Sequence, residues 1–161
     1  MRHIISVQLE NESGALSRVA GLFSARGFNI ESLTVAPTND ATLSRMTIVS
    51  IGDDNIIEQV VKQLEKLIDV VTVINLTATE HIERELALIK ISVNAGIQED
   101  IDKIIDSCAG KIVDVSEDTY TVEVAGKSQK LNDFLAALNK FEILEVSRTG
   151  VTGVCQKREY K

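Results

Sequence analysis

The residues in this chain best suited to holding a small polar ligand lie in one turn, Asn11-Glu12-Ser13-Gly14, and in the pair Asn29-Ile30 that follows Gly27. A turn opening a helix offers free backbone N–H groups and a partial positive charge, the two things a carboxylate seeks. Gly14 lets the backbone approach a ligand with no Cβ in the way, and Ala15 and Leu16 carry that backbone into the helix. Asn11 can accept a hydrogen bond from an ammonium group. Asn29 offers a second polar contact beside the aliphatic wall of Ile30. Carboxylate, ammonium and aliphatic side chain together describe an amino acid. The same residues also suit an ordinary capped helix, with Ser13 as N-cap and Asn29 as turn chemistry.

Equipment for covalent or metal chemistry is missing from the sequence. The two histidines, His3 and His81, have no Cys, Asp or Glu at ligand spacing, and no HExxH, Walker A or strand-borne GxGxxG pattern is present. Cys108 falls on an apolar helix face, where packing is the expected role. Cys155 lies near the tail with nothing beside it to lower its pKa. The chain therefore reads as non-catalytic, with no catalytic residue and no metal ligand.

The elements that position these residues follow from periodicity. Residues 4–10 alternate as a strand. Leu16, Val19, Ala20 and Phe23 mark one helix face, stopped at Gly27. Residues 28–36 return to strand character, ended by Pro37, which suits a sheet edge. Residues 43–51 form a third strand. A second helix, capped at Asp53 or Asp54, has Ile57, Val60, Val61, Leu64 and Ile68 inside, and residues 70–77 form a fourth strand. The order βαββαβ is the ferredoxin-like arrangement.

The order then repeats: a strand at 84–93, a helix with Ile97, Ile101, Ile104, Ile105 and Cys108 ended by Gly110, and strands at 111–116 and 119–125 joined at Glu117–Asp118. A helix capped by Ser128 and a strand at 142–148 follow. The expected fold class is thus α+β, two tandem ferredoxin-like domains over residues 1–78 and 79–161, joined by a short connector near Thr79–Glu83. Units this small bury little core alone, which favours oligomers.

Composition narrows the partners. Seventeen Lys and Arg against 24 Asp and Glu give a net charge of −7, which disfavours nucleic acid. A basic run at 156–161 reads as a solvated tail. No apolar run approaches the roughly 18 residues a membrane helix needs, and no signal pattern opens the chain, so a cytoplasmic location is expected. In a split βαβ sheet the second strand lies at the edge. Two copies paired there would bring Asn29 of one to the Asn11–Leu16 turn of the other, so a pocket would form only in the homodimer.

These residues carry a family resemblance. The first half resembles an ACT domain, the amino-acid-sensing βαββαβ module. More specifically, NESGALSRVAGLFSARGFNIESLTVAPT with LSRMTI is similar to the small regulatory subunits of acetohydroxyacid synthase (acetolactate synthase). RELALIKI, IVDVSEDTYTVEVAG, KLNDFLAAL and EVSRTG extend the likeness over about residues 2–153. The resemblance implies a non-catalytic subunit that activates a large catalytic subunit and confers feedback inhibition in branched-chain amino acid biosynthesis. The implied effector is valine, with leucine and isoleucine as alternatives. It would sit between two ACT domains on Asn11, Gly14, Ala15, Leu16, Asn29 and Ile30. Thiamine diphosphate, Mg2+ and FAD are implied for the catalytic subunit and none for this chain. After Gly153 the sequence VCQKREYK departs from the family's usual ending. The alternative reading is a free-standing ACT-type sensor that controls another partner.

Overall fold

A computed structural model describes residues 1–157. The chain divides into two compact units, one formed by Met1–Glu83 with the segment beginning at Val151, the other by Arg84–Gly150.

The first unit runs β1 (Arg2–Glu10), α1 (Ala15–Ala25), β2 (Ile30–Pro37), β3 (Leu43–Ile51), α2 (Asp54–Leu64) and β4 (Val70–Asn75), followed by a 3-10 turn at Leu76–Ala78. Its sheet has the order β2-β3-β1-β4. All pairings are antiparallel, and β1 and β3 run in unbroken register from Arg2↔Ile51 to Glu10↔Leu43. The period of two in β1 sends Ile5, Val7 and Leu9 to one face, where Met46 and Ile48 of β3 join them. Ala15, Val19 and Phe23 of α1 and Ile57, Val60 and Leu64 of α2 close that face. Burying a side chain such as Phe23 stabilises by about 1.5–3 kcal/mol. The edge position expected of β2 is observed, with Pro37 as its last residue, where a missing N–H costs no ladder bond.

The second unit repeats the plan with β5 (His81–Ser92), α3 (Gln98–Ser107), β6 (Lys111–Val115), β7 (Thr119–Gly126), α4 (Ser128–Leu138) and β8 (Ile143–Arg148), in the order β6-β7-β5-β8. Its core gathers Ala87, Ile89 and Ile91 of β5 against Ile101 and Ile105 of α3 and Leu131, Phe134 and Leu138 of α4. Both units are ferredoxin-like, as the sequence predicts.

Several local expectations are corrected. The N-cap of α1 is Gly14 in the left-handed region (φ 87°), not Ser13. Lys127, not Ser128, caps α4, and the Ser128 hydroxyl instead donates to Glu85. Leu16 is 42 % exposed and Ile68, in the turn after α2, 89 % exposed, so neither belongs to a core face. The α2 helix stops at Leu64, and Leu67 takes the inward place that Ile68 would need. Asn29 precedes β2 and does not lie in it. The connector is only Thr79–Glu80, because β5 already begins at His81.

A ninth strand, β9 (Thr152–Cys155), is absent from the sequence reading. It pairs with β5, and the Gln156 N–H donates to the Glu80 carbonyl at 2.9 Å. Val151 and Cys155 pack with Ile4, Val49, Ile74 and Leu76 on the face of the first sheet opposite its helices. Gly153 permits this approach, since a Cβ there would stand 2.7 Å from Leu76 Cδ1. Cys155 is thus a partly buried strand residue, not a tail thiol. The expected solvated tail falls mostly on residues 158–161, outside the described residues.

The stop of α3 differs in an instructive way from that of α1. At α1 the N–H of Gly27 bonds to Ser24 and that of Phe28 to Phe23, a Schellman closure with glycine at φ 70°. At α3 the same closure joins Ala109 to Asp106 and Gly110 to Ile105, and the left-handed residue is Ala109 (φ 50°). Gly110 is closely packed: a Cβ there would lie 3.1 Å from Ile105 Cγ2 and 3.2 Å from Val124 Cγ2, so these buried neighbours would have to give by a few tenths of an ångström. Ala109→Gly is therefore expected to stabilise the second unit by about 0.5–1 kcal/mol through relief of left-handed strain. Gly110→Ala is expected to destabilise it by about 1–3 kcal/mol through overpacking. Urea unfolding midpoints of the two variants check both signs.

Candidate functional site

Asn11 leaves β1 at the sheet end where α1 begins, and the β2–β3 loop holds it twice. Its N–H donates to the Thr42 carbonyl at 2.7 Å and its side-chain amide to the Ala41 carbonyl at 3.0 Å. That loop is itself braced. Asp40 Oδ1 accepts the N–H of Thr42 at 2.9 Å and its hydroxyl at 2.6 Å, which holds the Asp40 carboxyl below the usual range. With its NH2 engaged, Asn11 keeps Oδ1 without a protein partner among the described residues, as an acceptor for a ligand N–H. The brace from Asp40 through Ala41 was not legible from the TNDA loop alone.

Gly14 then turns the chain into α1. The first intrahelical bond is Arg18 N–H to the Gly14 carbonyl at 3.0 Å, while Ala15 N–H bonds back to Glu12 at 3.3 Å. Leu16 and Ser17 present N–H groups with no intrahelical acceptor, and no side chain caps them. Ala15 is buried in the core and anchors the turn, while Leu16 is exposed beside it.

Next to the turn lies an ion pair missed in the sequence. Arg18 donates from Nε to Asp69 Oδ2 at 2.5 Å and from Nη2 to Asp69 Oδ1 at 2.8 Å. Asp69 is only 5 % exposed, and its carbonyl accepts the Glu10 N–H at 2.8 Å. The guanidinium holds the Asp69 carboxyl below its ordinary range against the opposing effect of burial, and the Asp69 carboxylate raises Arg18 in turn. Glycine suits the positive φ of this turn, and a Cβ on Gly14 would come within 2.9 Å of Arg18 Nη1, so a side chain there would push on the guanidinium. Arg18 and Asp69 are 51 residues apart, and no spacing rule would pair them.

Asn29 and Ile30 sit at the other end of α1. Asn29 is exposed, and its carbonyl accepts the hydroxyl of Ser50, a fully buried residue, at 2.8 Å. Ile30 is half-buried at the start of β2, against the first core. The 11 residues of α1 span about 16 Å at 1.5 Å each. Within one chain the structure therefore brings Asn11, Gly14, Ala15 and Leu16 together and leaves Asn29 and Ile30 apart from them. Both groups flank the same helix and the edge strand β2 that follows it.

The second unit has no equivalent turn. Asn94 follows β5 much as Asn11 follows β1, but its Oδ1 accepts the Gly96 N–H at 3.0 Å and is consumed within its own loop. Acidic Glu99 and Asp100 occupy the first turn of α3, where they would repel a carboxylate. Among the described residues no group of His, Cys, Asp and Glu is arranged to hold a metal ion, and no helix is long and apolar enough to cross a membrane.

The βαββαβ unit with this order is the build of a regulatory ACT domain, and residues 5–72 match the AHAS small subunit-like ACT domain. Residues 84–157 match the family described as the small subunit of acetolactate synthase, a match that continues past Gly153. The acetolactate synthase isozyme 3 small subunit of Salmonella typhimurium is 54 % identical over 155 residues, covering 96 % of this chain and 95 % of that one. Its Escherichia coli counterpart is 53 % identical over the same shares. The crystal structure of the small subunit from Thermotoga maritima superimposes with a TM-score of 0.89 at 36 % identity, covering 98 % of each chain. This chain belongs to the acetolactate synthase small-subunit family.

The Arg18–Asp69 pair makes a stability prediction. A carboxyl whose folded pKa is depressed contributes stability that is present above its unfolded value, near 3.8, and is lost as pH falls through the folded value. Asp69→Asn is expected to lower the urea midpoint at neutral pH. The gap to the unsubstituted chain should close only below the ordinary Asp range. A gap that stays constant from neutral to strongly acidic pH would show that the ion pair contributes nothing.

Proposed function

We propose that this chain is the non-catalytic regulatory subunit of a thiamine-diphosphate-dependent acetolactate synthase. It activates the large catalytic subunit and confers feedback inhibition by valine. Family membership supports the subunit role, and one observation carries the effector site. The two groups of candidate residues stand at opposite ends of α1, about 16 Å apart, beside an edge strand that among the described residues pairs with β3 alone. One amino acid can touch both groups only if a second copy supplies one of them. Pairing of two copies along β2 would do this. The ligand carboxylate would meet the backbone at Gly14, Ala15 and Leu16, where the Leu16 N–H is free, its ammonium Asn11 Oδ1 and Asn29, and its side chain Ile30 and Leu16.

Regulation then needs two dimer geometries with different affinity for the ligand, which the catalytic subunit also distinguishes. Leucine and isoleucine differ from valine by one methylene, about 1–3 kcal/mol in such a pocket, so all three belong in the assay. Thiamine diphosphate, Mg2+ and FAD belong on the catalytic subunit in this reading, and this chain supplies no ligand to them.

The test is to mix the chain with its cognate large subunit and follow acetolactate formation from pyruvate with and without valine. Activation by the chain and inhibition by valine are expected. Asn29→Ala should raise the half-inhibiting valine concentration at least tenfold, about 1.4 kcal/mol. Neither activation nor inhibition by any branched-chain amino acid would sink the proposal.

A further inference from the structure

The start of α1 holds a cation that the reading above leaves unused. Arg18 is 45 % exposed along its side chain, yet it is not free to swing, because Nε and Nη2 are both engaged by the buried Asp69 carboxylate. The third nitrogen, Nη1, has no protein partner among the described residues. It lies over the open side of the Gly14 turn, in the space a side chain at that position would need. An arginine in the first turn adds positive charge to the positive end of the helix, an arrangement that a bound anion relieves. Asp69 offsets one charge in the plane of Nε and Nη2, and leaves the N–H groups of Nη1 for another acceptor. The other charge facing Arg18 is Glu12, which is exposed. It makes no hydrogen bond to the guanidinium among the described residues, and its negative charge favours an ammonium nearby.

We propose that Arg18 is a further effector-binding residue: Nη1 grips the ligand's α-carboxylate alongside the free N–H groups of α1, and Asp69 is the positioning residue that aims it. This rests on the reading that a branched-chain amino acid binds at the Gly14 turn, and deepens it by naming what selects an α-carboxylate. A guanidinium N–H to carboxylate bond is charge-assisted and roughly twice as strong as a neutral one. The α-carboxylate therefore becomes the group most costly to remove from the ligand. It also gives Gly14 a role beyond the turn, since any side chain there would displace Nη1.

The experiment is calorimetric titration of the full chain with valine and with valinamide, which keeps the ammonium and side chain and replaces the carboxylate with a neutral amide. The unsubstituted chain should prefer valine at least tenfold. Arg18→Met should weaken valine at least tenfold and leave valinamide nearly unchanged, so the preference collapses. Arg18→Lys, which keeps the charge without the fork, should fall between them, and Asp69→Asn should weaken valine several-fold. Circular dichroism confirms folding, and Arg18→Lys carries the test if Arg18→Met does not fold. If Arg18→Met or Arg18→Lys retains both the valine affinity and the preference of the unsubstituted chain, this inference is overturned while the site reading stands. If the unsubstituted chain binds no branched-chain amino acid, the site reading falls and takes this inference with it.

Discussion

The buried carboxylate of Asp69 is the constraint on which the architecture around the first helix depends. Its side chain receives two N–H groups from Arg18, and its carbonyl receives the Glu10 N–H. The end of β1, the first turn of α1 and the entry to β4 are thereby tied at one point. A carboxylate taken this far from water must be compensated by charge and hydrogen bonds, so Arg18 cannot be spared. Gly14 follows from its positive φ, and the guanidinium lies where a side chain there would begin. The helix start is then shaped as much by a distant acid as by its own capping residues.

The other end of α1 is held by different means. Ser50 is buried in β3, and its hydroxyl fixes the Asn29 peptide. The Schellman closure at Gly27 and Phe28 sets the angle at which the chain leaves the helix. Both ends of the helix thus present an exposed asparagine on hydrogen-bonded backbone. The second unit shares the topology and a Schellman closure at the end of its first helix, but Asn94 is spent inside its own loop. The same fold thus carries an Asn11 Oδ1 without a protein partner among the described residues in one unit and an Asn94 Oδ1 bonded within its loop in the other.

Much of this was legible in the sequence. The strand expected over residues 43–51 is β3 to the residue, and helical spacing finds Val19 and Phe23 of α1 and Ile57, Val60 and Leu64 of α2. The ferredoxin-like order in both halves follows from those periods. What escaped has a common cause, namely dependence on partners distant in sequence. Arg18 with Asp69 and Ser50 with Asn29 are tertiary choices that leave no local pattern. Ser13 looks like a cap, but Gly14 takes the position through its positive φ and the neighbouring guanidinium. Ala109 in the left-handed position is invisible because a glycine stands next to it. The strand β9 is four residues long, too short for alternation to reveal.

That short strand has a consequence for how the protein is made. The Arg84–Gly150 unit is an insertion in the first unit, and its ends are stitched by paired hydrogen bonds between Leu86 and Thr149. At synthesis rates of about 5–20 residues per second, roughly 3–14 s separate the emergence of Glu83 from that of Val151. Through that interval Ile4, Val49, Ile74 and Leu76 lack the Val151 and Cys155 that pack with them in the finished protein. The inserted unit can complete itself on the ribosome before the unit that was begun first. Completion of the first unit is thereby postponed until Val151–Cys155 has emerged, and a nascent chain stalled before Val151 would leave that apolar sheet face uncovered for chaperones to meet.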